Sequence, residues 1–235
     1  MAVILPATPL PQSSDIERNP FLTNGPKGFT ESKMIGSNSM FVRTDLPGIG
    51  QDDFTVAIDD SKKGVIIRAE EQTCSRHDSS RRNYVTFISL HCHCCEISRF
   101  HNTQVTDGVL RLLISTTPSN INGVGSARED THGRPVSAEP KAKGPETAYE
   151  YKRLPDGSLY VRLDMPGVPQ DKFNAYVENG RVTVTGEAPA ISHDSSSREY
   201  SADAALLSYP LGTDPSPRVE RKVVNGVMRL IIRPT

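Results

Sequence analysis

The chain is poor in the features that mark most binding and catalytic classes. Its 235 residues contain no tryptophan and only 6% aromatic residues, and its formal net charge is −1. Without a basic excess or interleaved aromatic side chains, the sequence predicts no nucleic-acid partner. No apolar run approaches the roughly 20 residues that span a bilayer, so we expect no membrane partner. Glycine-rich phosphate loops are also missing, so we expect no small-molecule substrate and no cofactor.

Cysteine is scarce and confined to the first half of the chain. Three of the four cysteines lie too close together to form separate bridges readily. This pattern favours a reducing compartment over a disulfide framework, so we expect the protein in the cytoplasm or the nucleus.

The same region holds the one cluster with metal-ligand chemistry, because thiolates and imidazoles suit zinc. It lacks a Cys-x2-Cys pair with a distant matching pair, and the second half of the chain has no counterpart. The main interpretation is a divergent strand in which cysteines act as small apolar residues. A metal site and a redox-sensitive thiol patch are the alternatives for His91, Cys92, His93, Cys94 and Cys95.

One pattern occurs twice in the chain. The segment FVRTDLPGIGQDDF at 41–54 returns as YVRLDMPGVPQDKF at 160–173. A His-Asp-Ser-Ser segment and a closing DGVLRLLI or NGVMRLII follow each copy in the same order. The spacing between corresponding residues is 119 at Asp45 and Asp164, and 118 at Gly108 and Gly226. A nearly constant spacing indicates two copies of one folding unit.

Composition divides the rest of the chain. We predict a flexible arm at 1–27, a divergent first domain at 28–117 and a second domain at 147–235. Between them, residues 118–146 are rich in proline and glycine and predict a disordered linker. This composition also predicts that the two repeats move relative to each other.

Within each repeat the hydrophobic pattern has period two, and no segment has helical periodicity. Short alternating segments bounded by turns predict an all-β fold of two immunoglobulin-like antiparallel β-sandwiches joined by the flexible linker. Arginines on the opposite strand face from the apolar set are interpreted as a solvated surface: Arg43, Arg111, Arg162 and Arg229.

Each repeat resembles the α-crystallin domain of small heat-shock proteins, most of all the divergent plant proteins that carry such domains in tandem. The residues that carry the resemblance are VRTDLPGI and VRLDMPGV, with the closing DGVLRLLI and NGVMRLII. The arginine that usual members carry in the strand ending at a Phe-x-Leu-Pro turn is missing from both copies, which weakens the expectation of canonical heat-shock function.

The resemblance implies non-enzymatic protein binding. One mechanism is an ATP-independent holdase that binds unfolded client proteins at apolar strand edges and grooves in a stress response. The alternative is an adaptor that binds specific partners, such as a nuclear, chromatin-associated plant complex. Self-association is left open. The predicted protein-binding groove lies on the last strands, at Val109, Leu110, Leu112, Val227, Met228 and Leu230.

The repeated His-Asp-Ser sequence contains the residue types of a catalytic triad. Adjacent positions have the wrong geometry, because triad members converge from separate elements. We therefore predict no catalytic residues and no enzyme, and interpret His77–Ser80 and His193–Ser196 as surface loops.

Overall fold

The protein is described from a computed structural model that covers residues 19, 22–24, 30–72, 75–90, 94–119, 148–178, 181–202 and 218–233. These residues form fifteen β-strands and one 3₁₀ turn, Gln170–Lys172. No helix in these ranges is long and apolar enough to cross a membrane. The all-β prediction is confirmed.

The first repeat has two antiparallel sheets. One has the strand order β2-β3-β8-β7 and the other β4-β5-β6. Their strands are β2 (Thr30–Met34), β3 (Ser39–Asp45), β4 (Phe54–Ile58), β5 (Gly64–Glu70), β6 (Asn83–Ser89), β7 (Cys95–Thr106) and β8 (Val109–Pro118).

The second repeat follows the same plan. One sheet has the order β9-β10-β15-β14, and the other has β11-β12-β13. Their strands are β9 (Tyr149–Arg153), β10 (Leu159–Asp164), β11 (Phe173–Glu178), β12 (Arg181–Ala188), β13 (Arg198–Ala202), β14 (Arg218–Val224) and β15 (Val227–Arg233). The Asn179-Gly180 sequence between β11 and β12, a pair that favours a tight hairpin turn, lies outside the described residues.

Each repeat encloses its own apolar core. In the first repeat, Met40, Val42 and Leu46 point into it, as their alternation along β3 predicts. In the second, Leu159 and Val161 occupy the equivalent face of β10. The opposite face of these strands is also buried, since Phe41 and Tyr160 are 2% and 1% exposed. Burial on both faces means that something other than water covers the outer face.

Tight turns introduce the last strand of each repeat. Thr106 pairs with Val109 across Asp107-Gly108, and Asn225-Gly226 makes the same turn before β15. All four turn residues have positive φ, from 48° to 69°. This is the geometry of a type I′ hairpin, which Asp-Gly and Asn-Gly sequences favour.

One strand comes from the predicted flexible arm. β1 (Leu22–Asn24) pairs antiparallel with β13 of the second repeat. The side-chain amide of Asn19 also donates a hydrogen bond to the backbone carbonyl of Asp164, at 2.6 Å. The arm therefore contains a segment that contacts the second repeat before the chain enters the first.

Candidate functional site at the contact between the repeats

The aspartates that end the repeated Asp-x-Pro-Gly strands form ion pairs with the opposite repeat. Asp45 in the first repeat accepts a hydrogen bond from Nη1 of Arg198 in the second, at 2.6 Å. Asp164 in the second accepts one from Nη2 of Arg82 in the first. Arg82 and Arg198 occupy equivalent positions, directly before β6 and at the first residue of β13, so one contact is made twice, in opposite directions.

A second type of ion pair is repeated in the same way. Arg111 on β8 binds both carboxylate oxygens of Asp194, with its shortest contact at 2.7 Å. Arg229 on β15 binds both oxygens of Asp78, with its shortest contact at 2.8 Å. Two-pronged arginine–carboxylate pairs fix orientation as well as distance.

The prediction that four arginines form a solvated face is therefore wrong. Arg43, Arg111, Arg162 and Arg229 are 1%, 7%, 2% and 6% exposed. Each forms an ion pair with an aspartate or a glutamate. The period-two pattern placed the four arginines on the correct strand face, but that face is covered by the other repeat rather than by water.

Backbone contacts join the turns of the two repeats. The amide of Gly48 donates to the carbonyl of Asn225 at 2.9 Å, and the amide of Gly167 donates to the carbonyl of Asp107 at 2.8 Å. A Cβ atom at Gly108 would clash with the carbonyl oxygen of Asn225. Glycine is therefore required here by close approach as well as by positive φ.

The His-Asp-Ser segments lie at the edges of this contact. The Ser79 hydroxyl donates to Glu150 on β9 at 2.5 Å, and Ser195 donates to Glu31 on β2. Because each serine donates to a glutamate of the other repeat rather than to a neighbouring histidine, these segments do not have triad geometry. The surface-loop prediction holds for the exposed serines but is wrong for Asp78 and Asp194, whose side chains are 1% and 2% exposed.

All these contacts obey an approximate twofold relation. A surface that pairs with an equivalent surface is the geometry of a symmetric dimer interface. Here both halves belong to one chain. The expectation that the repeats move relative to each other is contradicted by these contacts, while residues 120–146 of the predicted linker lie outside the described residues.

The pKa of Asp78 shows how strongly one pair is held. Burial alone would raise this pKa, but the hydrogen bonds from Arg229 and Tyr160 outweigh burial and hold the pKa at about 2. Asp164 differs, since burial raises its pKa to about 6 despite the opposing charges of Arg82 and Arg162. The surroundings therefore stabilise the ionised form of Asp78 and disfavour the ionised form of Asp164.

The residues of the predicted protein-binding groove are all buried. Val109, Leu110, Val227, Met228 and Leu230 are 0% exposed, and Leu112 is 1% exposed. Four of them lie within the two cores: Leu110, Leu112, Met228 and Leu230. None of the six lines an open groove in this structure.

The cysteine cluster is described only in part, because His91, Cys92 and His93 lie outside the described residues, as does the fourth cysteine of the chain, Cys74. Cys94 is disulfide-bonded, whereas Cys95 at the start of β7 is not part of a disulfide. Among the described residues, no group of three or more His, Cys, Asp or Glu side chains could hold a metal ion.

Sequence reasoning missed the arginines that reach across from β6 and β13. A signal was present, because Arg82-Asn-Tyr84 returns as Arg198-Glu-Tyr200, in each case after a His-Asp-Ser-Ser segment and one intervening residue. Each tyrosine hydroxyl donates to the carbonyl of the proline in its own Asp-x-Pro-Gly turn, at 2.8 Å to Pro47 and 2.9 Å to Pro166. The repeated Arg-x-Tyr thus fixes the turn within a repeat and the ion pair between repeats.

Comparison with known proteins gives the family. Residues 4–235 match the family described as "Predicted plant small heat shock protein". The chain is also 31% identical to a protein of Arabidopsis thaliana named "Putative 57 kDa heat shock protein", in an alignment that covers 80% of the chain. The chain spans about half the length of that relative, 54%. With a match over nearly its whole length, the chain belongs to the plant small heat-shock protein family.

Proposed function

We propose that the protein is a non-enzymatic, ATP-independent holdase that binds partly unfolded client proteins. The observation that carries the proposal is family membership over nearly the whole chain, since the family implies a heat-shock-like role. Clients would be bound in the cytoplasm or nucleus without a cofactor.

Exposed apolar side chains offer a client surface that the buried groove residues do not. Val85 and Phe87 are each 42% exposed on the outer face of β6, and Tyr176 is 50% exposed on β11. The positions equivalent to Val85 and Phe87 in the second repeat are Ser201 and Asp203. Apolar groups left in water at neighbouring strand positions favour contact with apolar segments of another chain.

The test is suppression of heat-induced aggregation of a model client by the full chain. We expect suppression near stoichiometric ratio, and a loss of it in Val85→Ser/Phe87→Ser. The control is Thr55→Ser/Asn83→Ser, which changes polar positions on the same sheet and should leave suppression intact. Absence of suppression by the unmodified chain would contradict the holdase.

An adaptor is the second candidate, and the pairing of the two repeats favours it. The face that could pair with another α-crystallin-like domain is occupied within the chain. A paired unit of fixed geometry suits recognition of one specific partner. Size-exclusion chromatography with light scattering on the same sample separates the two candidates. A monomer or dimer without suppression supports the adaptor, whereas a suppressing sample of any size supports the holdase.

A further inference from the structure

The contact between the two repeats has two ends, and these ends carry equivalent ion-pairing residues except at one position. Glu71 follows β5 in the first repeat, and its backbone amide donates to the carbonyl of Arg82. In the second repeat the equivalent residue is Ala188, which pairs with Arg198 at the end of β12. One end of the contact therefore contains a carboxylate that the other end does not have.

Glu71 lies inside the ion-pair network, with 0% exposure. Its carboxylate accepts from Arg82 of its own repeat at 3.3 Å and from Arg229 of the other repeat at 2.8 Å. Both arginines also bind an aspartate, Arg82 with Asp164 and Arg229 with Asp78. Glu71 thus shares its two cationic partners with two other carboxylates.

Counting the charges shows an imbalance at this end. Three buried carboxylates, Glu71, Asp78 and Asp164, face two guanidinium groups. At the opposite end two carboxylates, Asp45 and Asp194, face two guanidinium groups. The outer pairs Arg162–Glu150 and Arg43–Glu31 add one charge of each sign to their respective ends. The lysines that also contact these glutamates, Lys152 and Lys33, are 35% and 36% exposed and are not counted among the buried charges. One end carries an excess negative charge away from water, which is costly unless a proton neutralises it.

We propose that the end of the contact containing Glu71 makes the pairing of the two repeats proton-dependent, so that the repeats bind each other more tightly when this end takes up one proton. Glu71 acts through its neighbours: its carboxylate creates the excess negative charge, and another carboxyl group of the same end can carry the proton. The opposite end, with Ala188, provides no such dependence.

The surroundings of Asp164 make it the group that takes up the proton. Its pKa is raised to about 6, mainly by burial and also by the negative charge of Glu71. Separation of the repeats would return Asp164 to water, where an aspartate has a pKa near 3.9. Because the paired state binds the proton more tightly, lowering the pH favours pairing. The charged groups facing Asp164 are Arg82, Arg162, Glu71 and Arg229.

The experiment measures pairing in the full chain at pH 7.5 and pH 5.0. The probes are the Gly48 and Gly167 amides, which donate across the contact, and the readout is their protection factor in hydrogen exchange. A pKa of about 6 in the paired state predicts a rise of about tenfold on lowering the pH. Carbon-13 titration of the Asp164 carboxyl should give a midpoint near pH 6.

Glu71→Gln should reduce the rise in protection and lower the Asp164 midpoint, because the charge of Glu71 adds to the effect of burial at Asp164. Glu70→Gln removes a neighbouring exposed carboxylate and should leave both unchanged. If Glu71→Gln does not fold, the pH dependence of amide protection in the wild type still tests the proposal. A wild-type change below about twofold would overturn the proposal, as would an unchanged pH dependence in folded Glu71→Gln.

Discussion

Arg198 of the second repeat and Asp45 of the first lie 2.6 Å apart, both largely buried, and repeat in reverse the pair made by Arg82 and Asp164. This relationship turns two sequence repeats into one structural unit. Burial of an unpaired charge is far more costly than burial of a pair, so each arginine depends on an aspartate of the other repeat.

Asp45→Asn should destabilise the protein by about 3 kcal/mol or more, because it leaves the Arg198 guanidinium buried without its counter-charge. Urea denaturation measures this loss. The control is Glu187→Gln, which breaks an exposed pair with Lys172 at 4.0 Å and should cost less than about 1 kcal/mol. Equal effects of the two substitutions would show that the Asp45 pair is not a buried contact.

Arg111 and Asp194 should be energetically coupled, since their bidentate contact joins the repeats. A double-mutant cycle with Arg111→Met and Asp194→Asn should give a coupling energy of about 1–3 kcal/mol. The matched cycle combines Arg111→Met with Asp78→Asn at the opposite end of the contact. There the coupling should be below about 0.5 kcal/mol, and a large value would contradict the pairing described.

Acid should remove part of the stability through Asp78. Its folded-state pKa is lowered to about 2, against an ordinary value near 3.9. The stabilisation is therefore complete above about pH 5 and is lost as the pH falls toward 2. The difference in unfolding free energy between wild type and Asp78→Asn should shrink by about 2 kcal/mol over that interval. A difference independent of pH would contradict the lowered pKa.

Gly108→Ala should destabilise the protein more than Gly36→Ala. The two glycines have nearly the same φ, +69° and +67°, so the backbone cost of alanine is similar. A Cβ at Gly108 would meet the Asn225 carbonyl and the Pro47 backbone, whereas at Gly36 nothing lies within 4 Å. Thermal unfolding should show a shift of a few degrees for Gly36→Ala and a clearly larger one for Gly108→Ala. Equal shifts would indicate that the turns do not meet.

The fold was predictable because strand alternation and turns are local signals. Met40 and Leu163 lie in the cores, as their period-two positions predict. The contact between the repeats was not predictable in the same way. A period of two assigns Arg43 and Arg162 to the outer face but cannot tell whether water or another sandwich covers that face.

The role of the His-Asp-Ser segments was missed for a related reason. Loop composition predicts exposure, and Ser79 and Ser195 are indeed exposed. Asp78 and Asp194 are buried because arginines from the other repeat reach them, a relation between positions 83 or more apart in the chain. Exposed Val85 and Phe87 were also outside the prediction, since sequence alone does not show which face of β6 is covered.

Hydrogen exchange at the amides of Gly48 and Gly167 tests the internal pairing of the repeats most directly. Both amides bond only across the contact, to Asn225 and Asp107, so their protection reports pairing rather than the folding of either sandwich. We predict slow exchange at both sites at neutral pH. Exchange at the rate of free amides, while core amides such as those of Val65 and Val184 remain protected, would contradict the account.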